Sequence, residues 1–435
     1  MDRIVPRRRW GIGLLLGVGV LINYIDRVNL SAAGPQLTQE FGLSPVQFGY
    51  LAAAFSWSYA LLQIPTGVIL DKFGVTLVGR IGAFLWGVAS ALVMIVSGYY
   101  GIILARILLG VAEAPAFPAS SKATGYWFPR RERARATAIF DAAAKFSNVI
   151  GLPLVAYFVV NWGWRWGFGI TALLSFAYFI AFVVFYRDPS RDPKLSDAER
   201  TYIKEGGATA EGTSSAGTWA MLGNQLQNTK VWGLTIGFAA YGYSFALFIN
   251  WLPSYLAQTF QFNLMKSAGY AAIAWGCATL ADLIVGGWLV DHLIARGHDE
   301  SKVRKTVLVL GMLFGLAVFG AAFTTDPNWA IFWIAIALSG LASAAPIGWS
   351  IPSLIAPKGG TATIGGIMNC LNNLMGIAAP IATGYIVAAT RSFSAAFLVA
   401  AAVLVIGIFS YIFVLGRIEP IPEPGAKGLR PGMAA

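Results

Sequence analysis

Residues Trp10–Ala33 read WGIGLLLGVGVLINYIDRVNLSAA, an apolar run interrupted near its end by Asn23-Tyr24-Ile25-Asp26-Arg27. As a helix, a run of this length crosses a hydrocarbon core of about 30 Å. A charge at the middle of such a helix costs roughly 2.5 to 3.5 kcal/mol on insertion scales. Residues kept there face a protein interior or a water-filled cavity and work in it. The stretch therefore predicts a polytopic membrane protein that moves something charged.

The rest of the chain agrees with that reading. Of 435 residues, 57% are hydrophobic and 12% charged, too few charges to cover a soluble protein of this size. Twelve apolar runs, each of about 20 residues, can be counted from end to end. They are not the ten-residue alternating segments of an outer-membrane barrel. The formal charge is +11. The charges alternate in place: Arg3, Arg7, Arg8 and Arg9; Lys72 and Arg80; Arg130 to Arg135; Arg187 to Lys204; Arg296 to Lys305; Lys358; and Arg417 onward fall on one side. The other side holds little beyond Arg165, Lys266 and Arg391. This positive-inside pattern places both termini in the cytoplasm with twelve spans. No soluble fold stands behind the basic runs, so a nucleic-acid partner is not expected. The first apolar run is long, contains Asp26-Arg27 and ends without a clear cleavage site, so it reads as a helix and not as a signal peptide. Cys277 and Cys370 lie inside apolar segments and carry no metal or disulfide signature.

The domain reading is a first six-helix bundle over residues 1–190, a linker over 191–228, a second bundle over 229–416 and a Pro- and Gly-rich tail over 417–435, expected to be disordered. In the second span, about Val46 to Leu70, Tyr59 and Gln63 share a face. That span ends in Gly67-Val-Ile-Leu-Asp71-Lys-Phe-Gly74, with Arg80 beyond it. Gly67 and Gly74 permit close approach and a tight turn, and Asp71 and Arg80 could clamp neighbouring helix ends. Gly287-Trp-Leu-Val-Asp291 repeats the form of Gly67 to Asp71 in the second half, the echo that two related bundles would leave.

Arg106 and Glu113 lie seven residues apart, nearly two helical turns, on one face of the fourth span. A buried glutamate can carry a proton, and a fixed arginine can hold an anion or stabilise the ionised glutamate. Pro115 and Pro118 then break the helical ladder. Asp141 and Lys145 form an i,i+4 pair in the fifth span, and Lys145 is the deeper of the two. The second half has almost no charge within its spans except Asp282, and offers Tyr241, Asn250, Ser350, Asn369, Asn372 and Asn373 in place of it. Such groups hydrogen-bond hydroxyls or a carboxylate without bringing charge, or serve as glue between helices.

Taken in order, these stretches resemble the major facilitator superfamily and, within it, the anion:cation symporter family, close to the bacterial branch that imports hexuronates, galactonate and glucarate. The resemblance rests on Gly67 to Arg80, on Asn23 to Arg27, on Phe55 to Gly67, on Arg106 with Glu113-Ala-Pro-Ala-Phe-Pro118, on Trp251-Leu-Pro253, and on Gly366 through Asn373 to Pro380. It implies an all-α membrane protein of twelve helices in two bundles, monomeric and without cofactor or metal, in the bacterial inner membrane. It further implies that Arg27 binds a substrate carboxylate, that Asp26 and Glu113 couple protons, and that Arg106 interacts with Glu113. Tyr24, Tyr59, Ser350 and Asn373 would line the site, with Lys145 and Asn369 as further candidates and Gly67, Asp71, Arg80 and Asp291 in gating. The activity so implied is proton-coupled uptake of a small organic carboxylate such as a hexonate or hexuronate. Where sugar-acid relatives have a Gln-Tyr pair in the fifth helix, this chain has Ala144-Lys145. That departure makes a dicarboxylate or aromatic anion of the phthalate kind a competing substrate. A proton-independent facilitator or antiporter would need the same cavity. No Walker motif, metal cluster or nucleophile triad supports enzyme chemistry.

Overall fold

The computed structural model describes residues 7–208, 211, 219–357 and 361–421, with the side chains at positions 64, 68, 71, 130, 131, 134, 135, 138, 219–221 and 362 outside the description. Arg3, Lys358 and most of the tail lie outside the described residues.

The first half comprises α1 (Arg8–Phe41), α2 (Pro45–Ile95), α3 (Gly98–Glu113), α4 (Ala116–Trp127), α5 (Arg130–Trp162) and α6 (Trp164–Phe185). Two short helices follow, α7 (Asp197–Glu205) and α8 (Trp219–Leu226). The second half comprises α9 (Thr229–Phe260), α10 (Leu264–Ala281), α11 (Val290–Ala295), α12 (Glu300–Gly315), α13 (Val318–Phe323), α14 (Pro327–Ile355), α15 (Thr361–Thr390) and α16 (Ser394–Phe409). A π-helical turn, Asp282–Leu289, joins α10 to α11. No strand occurs among the described residues.

Local chemistry sets several boundaries. Ser44 and Gln47 form a reciprocal capping box at the start of α2, with Pro45 in the first turn where its missing N–H costs nothing. Asn228, Asn263 and Asp326 cap α9, α10 and α14 in the same sense. Gly74 has φ 78° and ψ 166°, a conformation open to glycine, and divides α2 into two arms. Pro115 separates α3 from α4, because proline lacks the N–H that would continue the ladder.

Among the described residues, eleven helices are long and apolar enough to cross a membrane, with α3 and α4 together forming one span. The expected second span falls in the arm of α2 before Gly74, which is not one of the eleven. Within the first half α1 packs against α5 and α6, and α2 against α3 and α6; within the second, α9 packs against α15 and α16, and α12 against α14. The halves meet through α2 with α15, α5 with α10, and α1 with α9.

That meeting is tight at one end. A Cβ on Gly49 would lie 2.6 Å from the Pro380 carbonyl oxygen, and one on Gly384 would lie 2.5 Å from that of Pro45. Small residues here let helix backbones touch. The Ser31 hydroxyl donates to the Asn250 carbonyl at 3.0 Å, and the Tyr50 and Tyr385 hydroxyls are 3.3 Å apart. Toward the Gly74 end of the first arm of α2 and the start of α15, the Cβ positions of Gly67, Gly365 and Gly366 have no neighbour within 4 Å.

The first part of the linker docks on the first half. Glu199 of α7 accepts from the backbone N–H groups of Arg8 and Arg9, each at 3.1 Å, and from Arg9 Nη1 at 2.9 Å. Its carboxylate thus caps the start of α1, where unsatisfied amides favour negative charge. Arg9 also pairs with Glu132 at 2.7 Å, and Arg8 with Asp192 at 2.9 Å.

Candidate functional site

Between the halves lies a cavity of about 180 Å³. Arg27, half-way along α1, lines it with Tyr24, Phe55 and Tyr59. The guanidinium carbon lies 4.6 Å from the Tyr24 ring centre, 4.7 Å from that of Phe55 and 4.6 Å from that of Tyr59. Three aromatic rings lie within cation–π distance of the charge without neutralising it, each worth about 0.5–2 kcal/mol. Arg27 Nε donates to Glu113 Oε2 at 3.3 Å, and Glu113 is fully buried. Arg27 Nη2 and Glu113 Oε1 are buried without a hydrogen-bond partner. The guanidinium thus keeps donor capacity that Glu113 does not use.

Arg106 also lines the cavity and is buried. Arg106 lies near enough to Glu113 for their charges to interact, but the direct contacts go elsewhere: Arg106 Nη1 donates to the backbone carbonyl of Asp26 at 3.3 Å, and Arg27 takes the Glu113 carboxylate. Crossing of α1 over α3 brings Arg27 within reach of Glu113, a tertiary neighbour that helical spacing along α3 cannot show.

Asp26 is fully buried and is not among the cavity-lining residues. It accepts from Ser90 Oγ at 3.0 Å, from Ser175 Oγ at 2.8 Å and from Trp86 Nε1. Successive residues of a helix are about 100° apart around its axis, so Arg27 faces the cavity while Asp26 faces α2 and α6.

Lys145 and Asp141 line the same cavity, and Lys145 Nζ lies 2.8 Å from Asp141 and 3.0 Å from Asp282 of the second half. The second half contributes Tyr241, Asn250, Asn369, Asn372 and Asn373. Asn373 Nδ2 is turned back to the Asn369 carbonyl at 2.9 Å. Ser350 does not line the cavity: its hydroxyl accepts from Arg304 Nη1 at 2.8 Å and donates to the Ile347 carbonyl at 2.7 Å. Gly67, Arg80 and Asp291 also lie away from it, and the side chain of Asp71 is outside the described residues.

A family model described as Major Facilitator Superfamily matches residues 16–380. The chain belongs to the major facilitator superfamily. Its relatives include the uncharacterized transporter YybO of Bacillus subtilis, 40% identical and matched over 95% of each chain. A probable galactarate/D-glucarate transporter, GarP, of Escherichia coli is 31% identical over 94% of this chain and 95% of its own. A D-galactonate transporter of Escherichia coli is 30% identical over 95% and 97%. Among solved structures, a bacterial homologue of the human lysosomal transporter Spinster, inward-facing and unoccupied, superposes with a TM-score of 0.74 at 17% identity, covering 93% of this chain and 96% of the other.

This major facilitator is therefore an all-α, multi-pass protein of the bacterial inner membrane, and its relatives fit the anion:cation symporter resemblance carried by its motifs. Sequence reasoning did not single out Phe117, Phe245 or Trp349 of the facilitator's cavity wall. An aromatic residue in an apolar helix looks alike whether it meets lipid, core or cavity. Gly242 could have been found only in three dimensions: a Cβ there would lie 2.0 Å from Asn372 Oδ1.

Proposed function

We propose that this facilitator imports a small organic carboxylate, a sugar acid such as a hexonate, hexuronate or aldarate, together with protons, by alternating access of its two halves. The observation that carries the reading is Arg27: a cation within reach of three aromatic rings, in the cavity between the halves, with one carboxylate partner and a buried Nη2 that has no acceptor. The sugar-acid names of the GarP and galactonate relatives support the substrate class.

The coupling follows from competition for one cation. With the cavity empty, ionised Glu113 neutralises Arg27. A proton on Glu113 removes that neutralising charge and leaves the guanidinium to an incoming carboxylate. Proton and anion therefore each favour binding of the other, by the same factor. Asp26, held by neutral donors beside α1, is the second proton-carrying group of the proposal. Twelve spans with the arm of α2 before Gly74 as the second, cytoplasmic termini and a monomer complete it. The tightly packed end is then the outer face, and Gly67, Asp71, Arg80 and Asp291 act at the inner ends of helices that separate and close.

Uptake of labelled hexonates, hexuronates, aldarates, phthalate-type aromatics and short hydroxy acids into proteoliposomes, with and without an inward proton gradient, tests this. Gradient-driven accumulation of a sugar acid is expected. Exchange indifferent to the gradient would leave an anion carrier and remove the proton role of Glu113.

A further inference from the structure

Arg27 is one of two cavity cations built alike. Lys145 also lines the cavity, and it too is paired with a carboxylate whose other oxygen is buried without a partner: Glu113 Oε1 in one case, Asp282 Oδ1 in the other. A buried carboxylate using half of its acceptors is an expensive partner, and a cation so held can exchange it for another oxyanion. The side chains of Lys145 and Asp282 are each 4% exposed. Lys145 has Asp141 on its own helix at 2.8 Å, so Asp282 is the carboxylate it can release. Among the described residues, the Lys145–Asp282 contact is the ion pair that joins the two membrane halves. Asp282 begins the π-helical turn of residues 282–289, an irregularity frequent at functional sites.

We infer that Lys145 is a second anion-binding residue, and that the preferred substrate is a dianion whose distal carboxylate or sulfonate displaces Asp282 from Lys145 while the other end occupies Arg27. This rests on the reading of the chain as an anion importer and narrows the substrate class. It also links recognition to movement, because a substrate that takes Lys145 undoes the ion pair between the halves. A monoanion of the same skeleton leaves that pair in place.

The test is binding to the full chain, purified in detergent, of two matched pairs: D-glucarate with D-gluconate, and phthalate with benzoate. In the pair that binds, the dianion is expected to be preferred by about tenfold or more, the worth of one charge-assisted hydrogen bond. Lys145→Gln should bring that preference to within about twofold, whereas Lys145→Arg, which keeps the charge and checks folding, should retain it. Asp282→Asn removes the competing carboxylate and should tighten dianion binding alone. Equal binding of dianion and monoanion by the unaltered protein, or an equal loss of both in Lys145→Gln, overturns the assignment and leaves Lys145 as a tie between the halves. No tightening in Asp282→Asn overturns the exchange. If the sugar pair binds without a Lys145-dependent preference, the sugar-acid reading stands and this one falls. If only the aromatic pair binds, with that preference, this inference stands and the uptake panel decides the sugar-acid reading; binding of neither pair overturns this inference.

Discussion

Arg27 has one carboxylate partner and three aromatic faces, and different replacements separate their parts. Arg27→Ala should weaken anion binding by at least about a hundredfold, since it removes the charge and its charge-assisted hydrogen bonds together. Arg27→Lys keeps the charge but loses the planar, multi-donor group that the three rings surround, and a loss of about tenfold is expected. Titration calorimetry with the transported acid measures both; retained affinity in Arg27→Ala would remove Arg27 from the site. Glu113→Gln takes away the competing carboxylate without changing its shape. Concentrative uptake should be lost while counterflow exchange survives, and intact gradient-driven uptake would sink the coupling scheme. Both residues were legible in the sequence as charges inside apolar runs. Their partnership was not, because it forms between α1 and α3 at a crossing that spacing within either helix does not encode.

At the scale of elements, two glycines make testable demands. Gly49 lets α2 touch the Pro380 carbonyl of α15 at the tightly packed end. Gly49→Val must push those backbones apart, since a carbonyl cannot swing aside as a flexible side chain does. Tyr50 and Tyr385, whose hydroxyls are 3.3 Å apart, mark that approach, and a cysteine pair at these positions should be joined in the parent by a bifunctional thiol reagent with a spacer longer than a disulfide. It should cross-link several-fold more slowly in Gly49→Val, with uptake falling in parallel; undiminished cross-linking would show that the close approach is dispensable. Gly74 is a conformational requirement and not a packing one, for nothing lies within 4 Å of its Cβ position while φ is 78°. Gly74→Ala should cost about 1–3 kcal/mol in stability, read from thermal unfolding in detergent. The sequence marks Gly74 as a candidate for a tight turn, but Gly49 only as one glycine among 49.

For the whole molecule, the linker does more than connect. Glu199 caps α1 and pairs with Arg9, which in turn holds Glu132 at the start of α5, so α7 ties three parts of the first half together. Glu199→Gln leaves Arg9 short of a buried partner and should destabilise the protein by about 3 kcal/mol, seen as a lower melting temperature. Uptake per folded molecule should be unchanged, because the cavity lies far along α1 from Arg9. An unaltered melting temperature would mean that α7 merely rests on the surface.

The sequence by itself determined the membrane class, the superfamily, the order of the helices and the short set of buried charges, because each of these is written in local composition or in the energetic cost of a charge in lipid. Only the tertiary structure decided which of those charges share the cavity. It turned Arg27 inward and Asp26 away from the cavity, gave Glu113 a direct ion pair with Arg27, moved Ser350 to Arg304, and brought Asp282 across from the other half to Lys145. Helical phase is readable along a chain, but the direction a buried charge faces depends on which helix crosses it, and that is set by packing between segments far apart in sequence.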